Sequence, residues 1–98
     1  MGAIKTNNYS EKEQELYLIA RAFANPARIR MVQLLKNGSE LRNIDLCEAL
    51  NLSKPTVKSH IRMLNEAGLL NIQYLMHCYK ISLNDKGNLN TDLILEMV

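Results

Sequence analysis

The sequence has few of the residues from which enzymes, metal centres and disulfide-rich proteins are built. Its two cysteines are too few for a disulfide framework, and their spacing fits no zinc finger. It has two histidines, no glycine-rich phosphate loop and no grouping of a nucleophile with a base. We therefore expect a protein that is not an enzyme and that uses no metal or cofactor.

Long hydrophobic runs are also missing. No apolar stretch approaches the ~18 residues needed to cross a bilayer, and the first ten residues are mostly polar. These features predict a cytoplasmic protein without a membrane partner. The net charge of +2, from 12 Lys and Arg against 10 Asp and Glu, neither requires nor excludes a polyanionic partner.

What remains is the composition of a small globular protein. A chain of 98 residues with 47% hydrophobic and 22% charged residues predicts a single domain over residues 1–98. A domain of this size buries only about two thirds of its unfolded surface. Pairing with a second copy of the chain would therefore be a natural source of further stability.

Apolar residues at helical spacing predict four helices in the first two thirds of the chain. They are expected over residues 11–24, 26–37, 40–50 and 54–67. Ser10 and Glu13 form a capping box before the first helix, and Ser53 is the expected N-cap of the fourth. Gly68 has the position of a C-cap.

The hydrophobic period changes from 3.6 to 2 after Gly68. Alternating residues predict a β-hairpin with strands over 70–74 and 79–83. We expect a polar loop over 84–90 and a short last helix over 91–98. The fold class is therefore α+β and mostly α: a winged helix-turn-helix of four helices, a β-hairpin wing and a short C-terminal helix, assembled as a dimer.

The positive charge is concentrated on the fourth helix. Residues 53–65 contain Lys54, Lys58, His60 and Arg62 and no acid. With Val57, Ile61 and Leu64 turned inward, hydroxyl and basic side chains share the outer face, which suits a DNA groove. A solvated helix face is the alternative, but the turn before the helix and the hairpin after it favour DNA binding.

Three segments resemble one known family. They are AFANPARIRMVQLL, ELRNIDLCEALNLSKPTVKSHIRMLNEAGLL and YKISL, and the resemblance runs from about residue 16 to residue 83. They are similar to the ArsR/SmtB family of winged-helix repressors. The resemblance implies a homodimer that represses transcription by binding double-stranded operator DNA, with its first and last helices at the dimer interface and an effector that releases the DNA.

The chain also departs from this family. Arg42 and Ile44 stand where many metal sensors of the family have a pair of cysteines, so that metal site is lost. Residues 89–98 contain only Asp92 and Glu96 as candidate ligands and no histidine. The tip of the wing, Tyr74-Leu75-Met76-His77, is apolar where relatives usually have arginine and glycine.

These patterns predict roles for individual residues. We expect Lys54, Thr56 and Ser59 to contact bases, and Ser53, Lys58 and Arg62 to contact phosphates. We expect His60 either to pack against the protein or to contact a phosphate. The expected dimer interface consists of Leu16, Ile19, Phe23, Leu93, Ile94 and Met97.

The roles of several side chains can be interpreted in more than one way. Cys47 is expected in the core, whereas Cys78 is a candidate redox site that a strand would place on its polar side. One of Arg28 and Arg30 should brace the fold while the other is solvated. Because the wing tip is apolar, a second interpretation is a winged helix that binds another protein instead of DNA. Because the sequence shows no recognisable effector site, a third is a DNA-binding regulator that has no ligand.

Overall fold

The computed structural model describes residues 8–97, which form five helices and a three-stranded antiparallel sheet. In chain order the elements are α1 (Glu11–Ala22), α2 (Pro26–Leu35), β1 (Leu41–Arg42), α3 (Asn43–Leu50), α4 (Lys54–Glu66), β2 (Leu70–Tyr74), β3 (Tyr79–Leu83) and α5 (Asp85–Leu95). The winged helix-turn-helix expected from the sequence is confirmed. Within this part of the chain, no helix is both long enough and apolar enough to span a membrane.

The helices begin where the sequence places their caps. The capping box of Ser10 and Glu13 is present, with hydrogen bonds of 2.9 and 3.1 Å. Asn25 accepts a hydrogen bond from the amide of Ala27 at 2.8 Å and starts α2. Asn51, in the left-handed region with φ of 54°, ends α3 and begins the tight turn into α4.

One hydrophobic core joins the helices to the sheet. It contains Val57, Ile61 and Leu64 from α4, as the helical spacing predicts, together with Leu46 from α3 and Ile81 from β3. These side chains are at most 4% exposed. The core therefore fixes the rotation of α4 about its axis, because turning the helix would expose this stripe.

The sheet has one strand more than the sequence predicts. β3 lies in the centre, paired with β2 through the hairpin and with β1 through Leu41 opposite Ile81. Residues Leu41–Arg42 were expected inside the third helix, which instead begins at Asn43. A strand of two residues is too short for an alternating pattern to reveal it.

The expected polar loop over residues 84–90 is wrong, because α5 begins at Asp85. Asn84 caps this helix by accepting a hydrogen bond from the Gly87 amide at 2.8 Å. Its side-chain amide donates to the carbonyl of Gly68 at 2.8 Å and so joins the start of α5 to the end of α4. Gly87 lies so close to the carbonyl of Leu69 that a Cβ would be 2.1 Å from that oxygen.

Candidate nucleic-acid interface

The outer face of α4 carries the side chains expected to contact DNA. Six of them are exposed, namely Ser53, Lys54, Thr56, Lys58, Ser59 and Arg62, and the exception is His60. The opposite face is fixed in the core by Val57, Ile61 and Leu64. The six exposed residues therefore form one solvent-facing surface, which we call the α4 face.

The N-terminus of α4 opens onto this face. Ser53 caps the helix, its Oγ accepting from the Thr56 amide at 3.4 Å and lying 2.9 Å from Thr56 Oγ1. Helix α4 spans 13 residues and has no acidic side chain in its first turn. Because Pro55 has no amide hydrogen and the amides of Thr56 and Val57 donate to Ser53, it is mainly the helix macrodipole that favours an anion beside Lys54.

The cations of the α4 face are largely uncommitted. Among the ion pairs of residues 8–97, none involves Lys54 or Lys58. Arg62 is 3.9 Å from Glu66, but that carboxylate lies closer to Arg21, at 2.6 Å. The three cations can therefore turn to an external anion at little electrostatic cost.

His60 is half-buried and is not part of the exposed α4 face. Its Nδ1 lies 3.0 Å from Arg28 Nη1, and because a guanidinium can only donate, the imidazole accepts. Burial, and secondly the charge of Arg28, lower the pKa of His60 below its ordinary value of 6.5. This contact favours packing over phosphate contact as the role of His60.

Arg28 is the arginine that braces the fold. Its Nε and Nη2 donate to the carbonyls of Ala22 and Arg21 at the end of α1, at 2.9 and 3.1 Å. Arg30 is exposed. Since Arg28 also contacts His60, it joins the C-terminus of α1 to α4. Sequence patterns predicted one bracing arginine but could not tell which, because both lie early in α2.

The hairpin forms a wall beside α4. A groove of about 430 Å³ separates the two elements and is partly open to solvent. It is lined by Pro55, Lys58, Ser59, Ile61, Arg62 and Asn65 from α4 and by Ile72, Tyr74 and Tyr79 from the hairpin. At the tip of the hairpin, Leu75 and Met76 are 41% and 90% exposed.

The hairpin is held to α3 by a contact that the sequence did not indicate. Asn43 Oδ1 accepts a hydrogen bond from the backbone amide of Tyr79 at 3.3 Å. Tyr79 in turn faces Tyr74 across the two strands, with ring centroids 5.8 Å apart. This pair gives the hairpin an aromatic surface near its tip.

A second exposed surface involves α1 and α5. Leu16, Leu93 and Met97, three of the expected dimer residues, are 65%, 52% and 79% exposed. Ile19 and Ile94 are half-buried against the core, and Phe23 is buried within it. The ion pair of Glu15 with Lys86, at 2.7 Å, links α1 to the first turn of α5.

Leu89 extends this surface, although the sequence analysis placed it in a loop. It is 60% exposed and lies one helical turn before Leu93, which is itself one turn before Met97. The spacing of four residues was visible in the sequence. We call the set of Leu16, Leu89, Leu93 and Met97 the α1–α5 surface.

Two residues at positions where the resemblance would imply metal ligands, Arg42 and Asp92, are instead paired with other side chains. Arg42 binds Asp45 through two side-chain hydrogen bonds of 3.0 and 3.2 Å, which lower the pKa of Asp45. Asp92 pairs with Lys36 at 3.0 Å. Within residues 8–97, no three His, Cys, Asp or Glu side chains are grouped so that they could hold a metal ion.

Both cysteines are free and half-buried. Cys47 packs partly against the core. Cys78 adds slightly to the raised pKa of Arg42, which is due mainly to Asp45, and Cys47 adds slightly to the raised pKa of Tyr79, which is due mainly to burial.

Comparison with known proteins adds an independent observation. Residues 25–71, from the cap of α2 to the start of β2, match the model of the family described as bacterial regulatory protein, arsR family. The chain is 40% identical over 50 residues to the arsenical resistance operon repressor of Escherichia coli (strain K12). That match covers 51% of this chain and 43% of the repressor, so the chain spans less than half the length of this curated relative.

Solved structures share the fold over most of the chain. HlyU from Vibrio cholerae N16961 superposes with a TM-score of 0.76 at 20% identity, covering 91% of this chain and 97% of HlyU. The homodimeric winged helix-turn-helix DNA-binding domain of a possible ArsR-family regulator from Mycobacterium bovis gives a TM-score of 0.79 at 13% identity, covering 99% and 87%. At such identities the likeness shows the fold alone.

Proposed function

Since the chain belongs to the ArsR family of bacterial regulatory proteins through residues 25–71, we propose that it is a sequence-specific DNA-binding transcriptional regulator and acts as a homodimeric repressor. The α4 face is the observation that carries this proposal. It combines exposed hydroxyl groups with three cations, and residues 53–65 contain no acid. The cations can neutralise DNA phosphates, and the hydroxyl groups can form hydrogen bonds with base edges.

In this proposal the residues of the α4 face divide into two groups. Lys54, Thr56 and Ser59 contact bases in the major groove. Ser53, Lys58 and Arg62 contact phosphates on either side. His60 supports the helix from behind through Arg28 and does not itself contact DNA.

The α1–α5 surface is the proposed dimer interface. Exposed apolar side chains at helical spacing along α5, together with Leu16 on α1, are best covered by an identical surface, which is how a two-fold dimer forms. The dimer would place two copies of α4 in successive major grooves, about 34 Å apart along the DNA. The operator should therefore be a near-palindrome.

The test is selection of binding sites from fragmented genomic DNA by the purified protein at physiological salt. We expect one or a few palindromic sites. Ser59→Ala should weaken binding to the selected site while leaving binding to unrelated duplexes unchanged, because it removes a base contact. Equal losses on both kinds of DNA would contradict the assignment of Ser59.

A second candidate function is favoured by the wing tip. Tyr74 and Met76 are 77% and 90% exposed, and an apolar tip could contact another protein. A partner held by apolar contacts would bind nearly independently of salt, whereas DNA binding weakens steeply as salt increases. Retention of a protein partner at high salt without any DNA binding would favour this second function.

The residues at the expected ligand positions predict that this chain does not respond to metals. We expect arsenite, cadmium and zinc at low micromolar concentration to leave DNA affinity unchanged, because soft ions need converging thiolates and Arg42 and Ile44 provide none. Fluorescence anisotropy with each metal measures this. A metal response that disappears in the double variant Cys47→Ser, Cys78→Ser would contradict it, and an effect of thiol oxidants alone would point to Cys78.

A further inference from the structure

The groove between α4 and the hairpin has the size of a small-molecule site. Its volume of about 430 Å³ lies within the range of about 300–1,000 Å³ that is typical of ligand clefts. Ile61 lines the groove although this residue is only 4% exposed, so the groove reaches down to the hydrophobic core. The groove therefore has an apolar floor and can enclose part of a ligand.

The hairpin wall of the groove is aromatic and apolar. Tyr74 and Tyr79 line it, with ring centroids 5.8 Å apart and ring planes tilted by 42°. Ile72 also lines the groove, and because it precedes Tyr74 by two residues on β2, both side chains lie on one face of that strand. A flat apolar ring placed against this wall would bury apolar surface and contact a tyrosine ring.

The α4 wall of the groove supplies positive charge and hydrogen-bonding groups, from Lys58, Ser59, Arg62 and Asn65. Lys58 takes part in none of the ion pairs of residues 8–97. Arg62 is 3.9 Å from Glu66, which Arg21 holds more closely. Among the described residues, no acid lines the groove. A carboxylate complements this wall, since a guanidinium can bind both carboxylate oxygens and a lysine adds a second positive charge.

We propose that the groove binds a small aromatic carboxylate, with its ring against Tyr74 and its carboxylate at Lys58 and Arg62. Both parts of the ligand are needed, because a simple anion leaves the aromatic wall uncovered and an uncharged ring leaves the cations without a partner. The bound ligand occupies Lys58 and Arg62, which the proposed function assigns to DNA. Ligand and DNA therefore exclude each other. This last consequence, but not ligand binding itself, rests on the proposed DNA-binding function.

Three probes separate the contribution of the ring from that of the charge. Cinnamate carries both, cinnamamide has the same ring without the charge, and acetate has the carboxylate without the ring. We expect cinnamate to bind the DNA-free protein with a dissociation constant of about 1 mM or below. The other two probes should bind at least about fivefold more weakly. A heteronuclear NMR titration measures each affinity, and the amides that shift should lie in α4 and the hairpin.

Two matched pairs of variants test the position of the ligand. Lys58 and Lys54 are both exposed cations of α4, but of the two only Lys58 lines the groove. Lys58→Ala should weaken cinnamate binding at least about fivefold, and Lys54→Ala should leave it unchanged. On β2, Tyr74→Ala should cause a similar loss, whereas Gln73→Ala should cause none because that side chain lies on the other face of the strand. Circular dichroism checks that each variant is folded.

The effect of the ligand on DNA binding is measured by fluorescence anisotropy at constant ionic strength. With cinnamate at about ten times its dissociation constant, mutually exclusive binding should weaken DNA binding by at least about tenfold. The same concentration of acetate should leave DNA binding unchanged, because acetate does not remain in the groove.

The outcomes distinguish this proposal from the proposed function. If the wild type binds DNA but binds cinnamate no more tightly than acetate, the ligand proposal is wrong and the DNA-binding function stands. If it binds cinnamate in the groove but no duplex at low salt, the ligand site is supported and the DNA-binding function is wrong. Cinnamate binding that Lys58→Ala and Tyr74→Ala leave unchanged lies elsewhere on the protein and contradicts the proposal. Cinnamate that fills the groove without weakening DNA binding contradicts the mutual exclusion.

Discussion

Arg28 and His60 show how single residues set the position of α4. Arg28 donates to two carbonyls at the end of α1 and to the imidazole of His60 on α4. The arginine has no acidic partner among the ion pairs of the described residues, and burial, followed by the nearby charge of Arg21, lowers its pKa. A protonated His60 could not accept this hydrogen bond and would place a second positive charge beside Arg28.

Acidification should therefore destabilise the fold through His60. Its pKa is lowered in the folded state, so the unfolded chain binds more protons between the two pKa values, and stability falls as the pH decreases from about 6.5 through the folded-state pKa. His60→Gln keeps a neutral acceptor and should lose this part of the pH dependence. Denaturant unfolding at pH 7, 6 and 5 measures it.

The second histidine provides the control for this experiment. His77 lies exposed at the hairpin tip, and His77→Gln should unfold with the pH dependence of the wild type. If His60→Gln and the wild type lose the same stability between pH 7 and pH 5, the Arg28 contact is not sensitive to protonation of His60.

At the scale of elements, α5 depends on a close backbone contact at Gly87. Alanine favours helix by about 1 kcal/mol over glycine, so Gly87→Ala would stabilise an isolated helix. Here the added Cβ would meet the carbonyl of Leu69 at 2.1 Å and the side chain of Leu83 at 3.0 Å. We expect a net loss of about 1–3 kcal/mol in the free energy of unfolding.

Chemical denaturation of Gly87→Ala measures this loss. Gly38→Ala is the comparison, because a Cβ there has nothing within 4 Å and meets only the strain of a φ of +76°. Gly38→Ala should lower the free energy of unfolding by about 1–2 kcal/mol. An unfolding free energy of Gly87→Ala equal to or above that of the wild type would mean that α5 can move away from Leu69.

These elements also show what the sequence could reveal. The caps at Ser10 and Ser53, the apolar stripe of α4 and the alternation of the hairpin are local signals, and each predicted its element closely. The first part of α5 was missed because its glycine and asparagines favour loops locally, while the contacts that stabilise it, such as that of Asn84 with Gly68, are distant in sequence.

In the candidate site, too, features set by local sequence could be predicted and features set by contacts distant in sequence could not. Which residues of α4 are exposed could be predicted, because helical periodicity decides it. The contact of His60 with Arg28 and the groove beside Tyr74 could not be predicted, because each joins side chains from elements that meet only in the folded chain. Phe23 was expected at the dimer interface since the spacing of apolar residues does not distinguish a core from an interface.

At the scale of the whole molecule, dimerisation should depend on the α1–α5 surface. Leu16→Glu adds a charge to a side chain that is 65% exposed in the single subunit, so the subunit should remain folded while the paired surface becomes unfavourable. We expect the variant to sediment as a monomer and to bind a palindromic site much more weakly. Lys12→Glu, an exposed change on the same helix, should remain dimeric.

Sedimentation at micromolar concentration decides this prediction. A wild-type protein that is monomeric under these conditions would contradict it, as would a Leu16→Glu variant that remains fully dimeric. Circular dichroism of the variant should match that of the wild type, because Leu16 is not part of the core.

The measurement that tests the account most directly is the salt dependence of binding to a 30-base-pair duplex. The two cations of each α4 face that are assigned to phosphates, Lys58 and Arg62, would neutralise four phosphates in a dimer. Log affinity should then fall linearly with log salt with a slope of about −4, made shallower by about one unit per subunit in Lys58→Ala. An affinity that changes less than about twofold between 50 and 200 mM salt would contradict DNA binding through the α4 face.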